Sequence, residues 1–190
     1  MKSLKYWLLV LGILSCFGCS SSIHEDNRGC SFICDSIQYR VEFMSAGCVR
    51  ILSYPEGDTL VTKRLVVDVE KPTFTDYKWE ETEQAFVFCT HELLVSFDKS
   101  DEAFTFREAS TGKLLLKEKD RRKARNFKRS EVGGEQCLEV TQRFIPTDEE
   151  AIYGLGQYQN GIMNYRGKSV LLLQANMDIV NPVSYTHLRA

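Results

Sequence analysis

The sequence lacks long apolar runs, a strong charge of one sign and helical periodicity. Its longest apolar run, YWLLVLGIL at 6–14, is too short to span a bilayer as a helix of about 20 residues. The formal net charge of −2 provides no general attraction to a polyanion. Almost no stretch has apolar residues at helical spacing. These absences argue against a transmembrane helix, a nucleic-acid partner and a mainly helical fold.

The sequence also has too few residues for two domains and too few ligands for a metal site. Its 190 residues suffice for one domain with a sizeable core, whereas a (β/α)₈ barrel alone needs about 250. The three histidines stand apart, and Cys30 and Cys34 have no second cysteine pair at the spacing of zinc ligands. The sequence therefore predicts no metal site and no cofactor.

Residues 1–18 have the pattern of a secretory signal peptide. Lys2 and Lys5 precede the apolar run, and small residues lead to Cys19. This pattern is typical of a bacterial lipoprotein, in which Cys19 is the lipidated mature N-terminus. The alternative is an ordinary cleaved signal with Cys19 unmodified. We predict an exported lipoprotein of a Gram-negative bacterium, anchored in the outer membrane or periplasm by its lipid, with residues 19–35 as a flexible tether.

Five cysteines remain beyond the signal peptide and Cys19. Because this number is odd, at least one is free or pairs outside this chain. Cys89 and Cys137 fall in apolar strands, where buried thiols are expected, although an oxidising compartment also permits a disulfide. The five are Cys30, Cys34, Cys48, Cys89 and Cys137.

Residues 36–145 alternate between polar and apolar side chains and contain short apolar runs, which is typical of β-strands. Turn sequences such as Ala46-Gly47 and Gly133-Gly134 separate these runs. Because each sheet must cover its apolar face, the pattern predicts an all-β fold, an antiparallel two-sheet β-sandwich. The predicted strands are 37–43, 48–54, 59–69, 85–90, 92–97, 103–108, 113–117 and 137–145.

The segment KEKDRRKARNFKR at 117–129 has eight basic residues. Only Phe127 interleaves with the charges, which is a weak pattern for binding nucleic acid. We therefore predict no nucleic-acid partner and interpret the segment as a solvated loop or an edge strand protected by charge.

The segment EAIYGLGQYQNGIMNYRG at 150–167 has four glycines within fourteen residues, which predicts a chain that folds tightly back on itself. Asn160-Gly161 is a dipeptide favoured in two-residue hairpin turns. Amide and guanidinium groups alternate here with aromatic rings, a combination that suits sugar hydroxyls and sugar C–H faces. The alternative is that these side chains only support the turns.

Together with LLLQANMDIVNPV at 171–183, this segment resembles glycoside hydrolase family 31, and within it the α-xylosidase-like branch, in which Gly-Leu-Gly-Gln is usual. Residues 36–183 are similar to the galactose-mutarotase-like sandwich that precedes the catalytic barrel in that family. The tail SYTHLRA at 184–190 resembles translated adaptor sequence, so we expect a non-native tail and a chain truncated within its parent.

The resemblance implies the N-terminal fragment of a retaining α-glycosidase, an α-xylosidase or α-glucosidase acting on oligosaccharides or polysaccharides. Its partners would be a carbohydrate substrate and the missing catalytic barrel, which carries both catalytic carboxylates. No catalytic residue is therefore predicted here, and the fragment alone is expected to be inactive. The alternative is a stand-alone carbohydrate-binding lipoprotein of the cell surface.

In the family, a loop of this domain reaches over the mouth of the barrel. Gln174, Asn176 and Asp178 match that loop, so the resemblance implies that they bind substrate. Ala175 and Met177 stand where the family has Trp and Thr, so the aromatic platform for stacking is missing. The alternative for Asp178 is an acid at a strand end that caps a turn.

Overall fold

The computed structural model describes residues 23–58, 74–121, 127–174, 176 and 178–186. These residues form thirteen β-strands and no helix, so the prediction of an all-β fold is confirmed. None of them belongs to a helix that is long and apolar enough for a membrane span. The chain divides into two compact units, Met1–Asp76 and Tyr77–Ala190.

The first unit contains a four-stranded antiparallel sheet in the order β1-β2-β3-β4. One face of this sheet is apolar because alternate side chains of its two central strands point to it and are buried. Phe32 and Tyr39 pair directly across β2 and β3, and their rings stack with centroids 5.3 Å apart. The strands are β1 His24–Asp26, β2 Gly29–Cys34, β3 Ile37–Ser45 and β4 Cys48–Pro55.

The opposite face of this sheet carries a row of alternating charges. The Arg40 guanidinium donates to Asp26 at 2.7 and 2.9 Å and to Glu42 at 2.7 Å. Glu42, which is buried, also accepts a hydrogen bond from Arg50. The row therefore joins β1, β3 and β4 through charge-assisted hydrogen bonds.

Strands β1 and β2 lie inside the segment that the sequence predicted as a tether, 19–35. Cys30 and Phe32 are fully or almost fully buried, and β2 pairs along β3 from Cys34 to Cys30. The ordered sheet therefore begins at His24 rather than after residue 35. The polar residues before Gly29 did not predict a strand, because β1 is an exposed edge strand without an apolar pattern.

The second unit contains a five-stranded antiparallel sheet in the order β5-β6-β7-β8-β9. Its core is aromatic: Phe86, Phe97 and Phe104 are fully buried and contact one another in sequence across β6, β7 and β8. The strands are β5 Lys78–Glu81, β6 Ala85–Cys89, β7 Leu93–Asp98, β8 Ala103–Glu108 and β9 Leu114–Lys117.

Two further antiparallel pairs complete the described part of the second unit, β10 with β11 and β12 with β13. Most of the predicted strands are present. The predicted strand 137–145 is shorter, because β11 ends at Val140 and beyond it a single bridge joins Phe144 to Glu118. The predicted strand 59–69 lies outside the described residues. The strands are β10 Phe127–Val132, β11 Glu135–Val140, β12 Ile152–Gln157 and β13 Ile179–Thr186.

Strands β10 and β13 refine two expectations about chain segments. Within the basic segment, residues from Phe127 onward form the exposed strand β10, as the edge-strand alternative predicted. Strand β13 continues to Thr186, so residues 184–186 of the expected non-native tail pair with β12. Residues 187–190 lie outside the described residues.

The exposure of the cysteines differs from the prediction at one position. Cys89 is half-buried in β6, but Cys137 is exposed, so the expectation of a buried thiol there is wrong. The reason is that β11 belongs to a two-stranded pair in which most side chains of both strands are exposed. An apolar residue in a strand is buried only where another layer covers it.

Candidate functional site

The ladder between β12 and β13 has a bulge at the Gly-Leu-Gly sequence, where the single residue Leu155 of β12 spans the same interval as residues 181–183 of β13. Gly154, Leu155 and Gly156 have φ angles of 98°, 68° and 121°, and the pairing with β13 shifts between Gly154 and Gly156. A Cβ atom on Gly156 would lie 2.0 Å from the carbonyl oxygen of Ile179. Glycine is therefore required at 156, because both the backbone angle and the close approach of β13 exclude a side chain.

The ladder between β12 and β13 has Gln157 opposite Ile179 as its last pair before a long connection, residues 158–178, which we call the β12–β13 loop. The prediction of a two-residue hairpin at Asn160-Gly161 is wrong, because β12 pairs with β13, a strand that begins some twenty residues further along the chain. The Asn160 side chain instead accepts the Ile162 N–H at 2.9 Å. Asn-Gly thus makes a local side-chain turn within the loop.

Two polar side chains fix the base of the β12–β13 loop. Asn164 Oδ1 accepts the backbone N–H groups of Ile152 at 3.1 Å and of Arg166 at 3.0 Å. The Arg166 guanidinium donates to the carbonyl oxygens of Glu150, at 2.6 Å, and of Thr147. These side chains satisfy backbone groups that loops leave unpaired, so the structure favours the supporting role for them.

Tyr158 and Tyr165 form an aromatic pair at the start of the loop. Their ring centroids are 6.1 Å apart and the rings meet edge to face, with Tyr165 buried and Tyr158 half-buried. The Tyr158 hydroxyl donates to the carbonyl oxygen of Leu155 at 3.1 Å. Desolvation, followed by the neighbouring Tyr165 and Asp178, raises the pKa of Tyr158. The raised pKa favours the protonated hydroxyl, which donates this hydrogen bond.

The three predicted substrate residues lie at the end of the same loop. Gln174 is exposed, and its Oε1 accepts the Val180 N–H at 3.1 Å. Asn176 is exposed, and Asp178 is half-buried directly before β13. Gln174 thus has a backbone partner, while its amide NH₂ group remains available as a donor. Each of the three side chains carries a group that can form a hydrogen bond with a sugar hydroxyl.

Tyr158 is the residue at this site whose position the sequence did not predict. It directly follows Gln157 and Asp178 directly precedes Ile179, so the two residues come next after the last pair of the ladder. The sequence indicated the position of Tyr158 only through its glycines, because the register of β12 against β13 depends on the bulge at Gly154-Leu155-Gly156. Within the described residues, no group of three or more metal-ligating side chains occurs here or elsewhere.

Comparison with known proteins places this arrangement in a family. The family model described as the glycosyl hydrolase 31 N-terminal galactose mutarotase-like domain matches residues 38–186. A crystal structure of a family 31 α-xylosidase from Xanthomonas citri is 29% identical, with a TM-score of 0.73 over 86% of this chain and 18% of that one.

Two more distant structures share the fold. A family 31 α-xylosidase from a soil metagenome, complexed with xylose, is 20% identical, with a TM-score of 0.62 over 87% of this chain and 26% of that chain. A family 31 dextranase mutant from Flavobacterium johnsoniae, complexed with isomaltotriose, is 17% identical, with a TM-score of 0.59 over 88% and 21%. This chain therefore spans about a fifth to a quarter of the length of these enzymes.

The strands and the family match together confirm the predicted galactose-mutarotase-like β-sandwich, and they confirm the resemblance from which it was inferred. The match covers the first unit from β3 onward and the described part of the second unit, including the bulge and the β12–β13 loop. The chain belongs to the N-terminal galactose mutarotase-like domain family of glycosyl hydrolase 31.

Proposed function

We propose that this chain is the N-terminal part of an exported retaining α-glycosidase with α-xylosidase-like specificity, acting on oligosaccharides or polysaccharides. The observation that carries the proposal is the 29% identity, over 86% of this chain, with the α-xylosidase from Xanthomonas citri. Family membership supports the glycoside hydrolase class, and this similarity supports the choice of α-xylosides within it.

In this proposal the β12–β13 loop contributes carbohydrate contacts and a separate (β/α)₈ barrel of the same protein performs the chemistry. Retaining hydrolysis needs two carboxyl groups about 5 Å apart on a rigid frame, one as nucleophile and one as general acid/base. The resemblance assigns both groups to the barrel. Gln174, Asn176 and Asp178 would then bind substrate hydroxyls without taking part in bond cleavage.

We expect the 190-residue chain to hydrolyse no glycoside and the longer parent protein to be active. The test compares the purified chain with the same chain joined at residue 183 to the catalytic part of its parent gene. Hydrolysis of p-nitrophenyl α-D-xyloside and α-D-glucoside is the measurement, and faster turnover of the xyloside by the joined protein is expected. Turnover by the 190-residue chain would overturn the proposal, and a natural stop codon after this domain would favour a stand-alone carbohydrate-binding lipoprotein.

The role of Asp178 is tested in the joined protein. If its carboxylate accepts a hydrogen bond from a substrate hydroxyl, Asp178→Ala should weaken substrate binding by about 1 to 3 kcal/mol. Asp148→Ala, at an exposed acid before β12, is the control, since it should leave KM unchanged. Unchanged kinetics in Asp178→Ala would remove Asp178 from the site.

We further propose that the protein is exported and lipidated at Cys19, which lies outside the described residues. The support is the signal-peptide pattern of residues 1–18. Mass spectrometry of the mature N-terminus should find a diacylglycerol group on Cys19, and Cys19→Ser should release the protein from the membrane fraction. An unmodified N-terminus beginning at another residue would contradict the proposal.

A further inference from the structure

The end of the β12–β13 ladder brings an aromatic ring and a carboxylate together. Gln157 is paired with Ile179, so the next residues on the two strands, Tyr158 and Asp178, lie on either side of the entrance to the loop. Tyr158 and Asp178 are not themselves a pair of the ladder, but both start from its last pair, and the Cβ atoms of such opposed residues are about 5 Å apart. The charge of Asp178 also contributes to the raised pKa of Tyr158, which is consistent with this proximity.

The ring of Tyr158 is held in a fixed orientation. The edge-to-face contact with Tyr165 holds one part of the ring, and the hydrogen bond from its hydroxyl to Leu155 O ties the other end to the bulge. Tyr165 is itself buried, so it provides a rigid support. Because the half-buried Tyr158 has little rotamer freedom left, a ligand that contacts it has little ordering cost to overcome.

A ring beside a carboxylate matches the surface of a pyranose. The apolar C–H face of the sugar packs on the ring, and the hydroxyl groups at the sugar edge donate to the carboxylate. The loop has Ala175 and no aromatic residue between Arg166 and Asp178, so the only aromatic side chains in the loop sequence are Tyr158 and Tyr165. Since Tyr165 is buried, Tyr158 is the ring that a sugar can reach.

We propose that Tyr158 is a sugar-binding residue of this site, its ring stacking on a pyranose whose hydroxyl donates to Asp178. This inference rests on the proposed function, because it assumes that the β12–β13 loop contacts carbohydrate. It goes beyond that function by assigning the apolar half of the contact to one residue, Tyr158, which lies outside the segment that holds Gln174, Asn176 and Asp178.

The test is a ligand-observed NMR titration of the 190-residue chain with methyl α-D-xylopyranoside. Tyr158→Ala should weaken binding about tenfold or more, because both the stacking contact and the buried area are lost. Tyr158→Phe keeps the ring and should bind within about threefold of the unchanged chain. Tyr54→Ala removes a partly exposed tyrosine from β4 and should leave binding unchanged.

Tyr158→Leu covers the case in which Tyr158→Ala does not fold, since leucine keeps apolar volume but has no ring. Equal affinity in Tyr158→Leu and the unchanged chain would overturn the inference, as would the absence of any binding by the unchanged chain. If Asp178→Ala weakens binding and neither Tyr158 variant does, the loop still binds sugar but Tyr158 is not part of the contact. Turnover by the joined protein tests the proposed function separately, so the two can fail independently.

Discussion

Gly156 shows how one residue sets the geometry of the site. Its φ angle is 121°, and a Cβ atom at this position would lie 2.0 Å from the carbonyl oxygen of Ile179. Only glycine therefore lets β13 approach β12 this closely. That approach aligns Gln157 with Ile179, and the two ends of the β12–β13 loop, Tyr158 and Asp178, start from this pair. A change at 156 is therefore expected to alter the loop as well as the stability of the strand pair.

Gly156→Ala should lower the free energy of unfolding by at least about 2 kcal/mol, because the added methyl group meets backbone atoms that cannot move independently. Gly161→Ala is the matched control: its φ is also positive, at 68°, but nothing lies near the added Cβ. We expect about 1 kcal/mol there, from the backbone angle alone. Urea unfolding measures both, and equal losses would contradict the close approach of β13.

Asp26, on the charged face of the first sheet, makes the stability of the folded state depend on pH. Burial by itself would raise its pKa, but hydrogen bonds from Arg40 and from backbone N–H groups outweigh this and lower the pKa below its usual 3.8. A carboxyl whose pKa is lower in the folded state contributes stability above the unfolded pKa. That contribution is lost as the pH falls below about 3.8 and through the folded value.

Asp26→Asn should therefore make the fall in stability with pH shallower below about pH 3.8. The free energy of unfolding, measured with urea at several pH values between neutral and acidic, provides the comparison. Asp58→Asn, in the exposed turn after β4, is the control and should follow the unchanged chain. Parallel curves for Asp26→Asn and the unchanged chain would show that the pair with Arg40 does not contribute.

At the scale of elements, a buried polar cluster attaches residues 142–145 to the five-stranded sheet. The buried Glu118 carboxylate accepts the Phe104 N–H at 2.9 Å, Arg121 at 2.8 Å and the Gln142 amide at 2.6 Å. Arg121 also donates to Gln142 Oε1 at 2.6 Å. Because a buried charge is tolerated only when paired, these contacts fix where the chain runs after β11.

Gln142→Ala should lower the free energy of unfolding by about 1 to 3 kcal/mol, since it removes partners from buried charged groups. It should also speed hydrogen exchange at the amides of Lys119 and Ile145, which bond to Arg143 O and Lys117 O. Gln136→Ala, in exposed β11, should change stability by less than about 0.5 kcal/mol. Unchanged hydrogen exchange at these two amides in Gln142→Ala would show that the polar cluster does not stabilise the backbone hydrogen bonds of Lys119 and Ile145.

At the scale of the whole molecule, apolar side chains divide into two groups. The fully buried ones lie in the two larger sheets, whereas several in the β12–β13 loop and at the start of β13 are exposed, including Met163 at 79% and Leu171 at 78%. Because these side chains lie largely in water in the folded chain, they contribute little to the folding of the described units.

Leu171→Ser combined with Leu173→Ser should change the free energy of unfolding by less than about 0.5 kcal/mol, because both side chains are already in water. Binding of the apolar dye ANS should decrease in the same variant. Phe88→Ala, at a fully buried position of β6, should cost about 3 to 5 kcal/mol. A loss of more than about 1 kcal/mol in the double serine variant would place the loop in the core.

Strand pattern and local turns could be predicted from the sequence where one face of a sheet is buried. The alternation in Val95, Phe97, Phe104 and Phe106 located β7 and β8, because a period of two separates a core face from a solvent face. The same reasoning failed where burial did not follow the pattern. Strands β1 and β2 lay in a segment interpreted as a tether, and Cys137 is exposed in a two-stranded pair.

The sequence by itself determined the fold class and the family, since periodicity and the segment 150–183 are local properties of the chain. Only the tertiary structure decided which residues meet at the site. Asn160-Gly161 could have closed a hairpin, but β12 pairs with β13 across a long loop, and this register brings Tyr158 to Asp178. Register over such a separation depends on the bulge at Gly156 and on backbone packing between distant segments, which local sequence preferences do not encode.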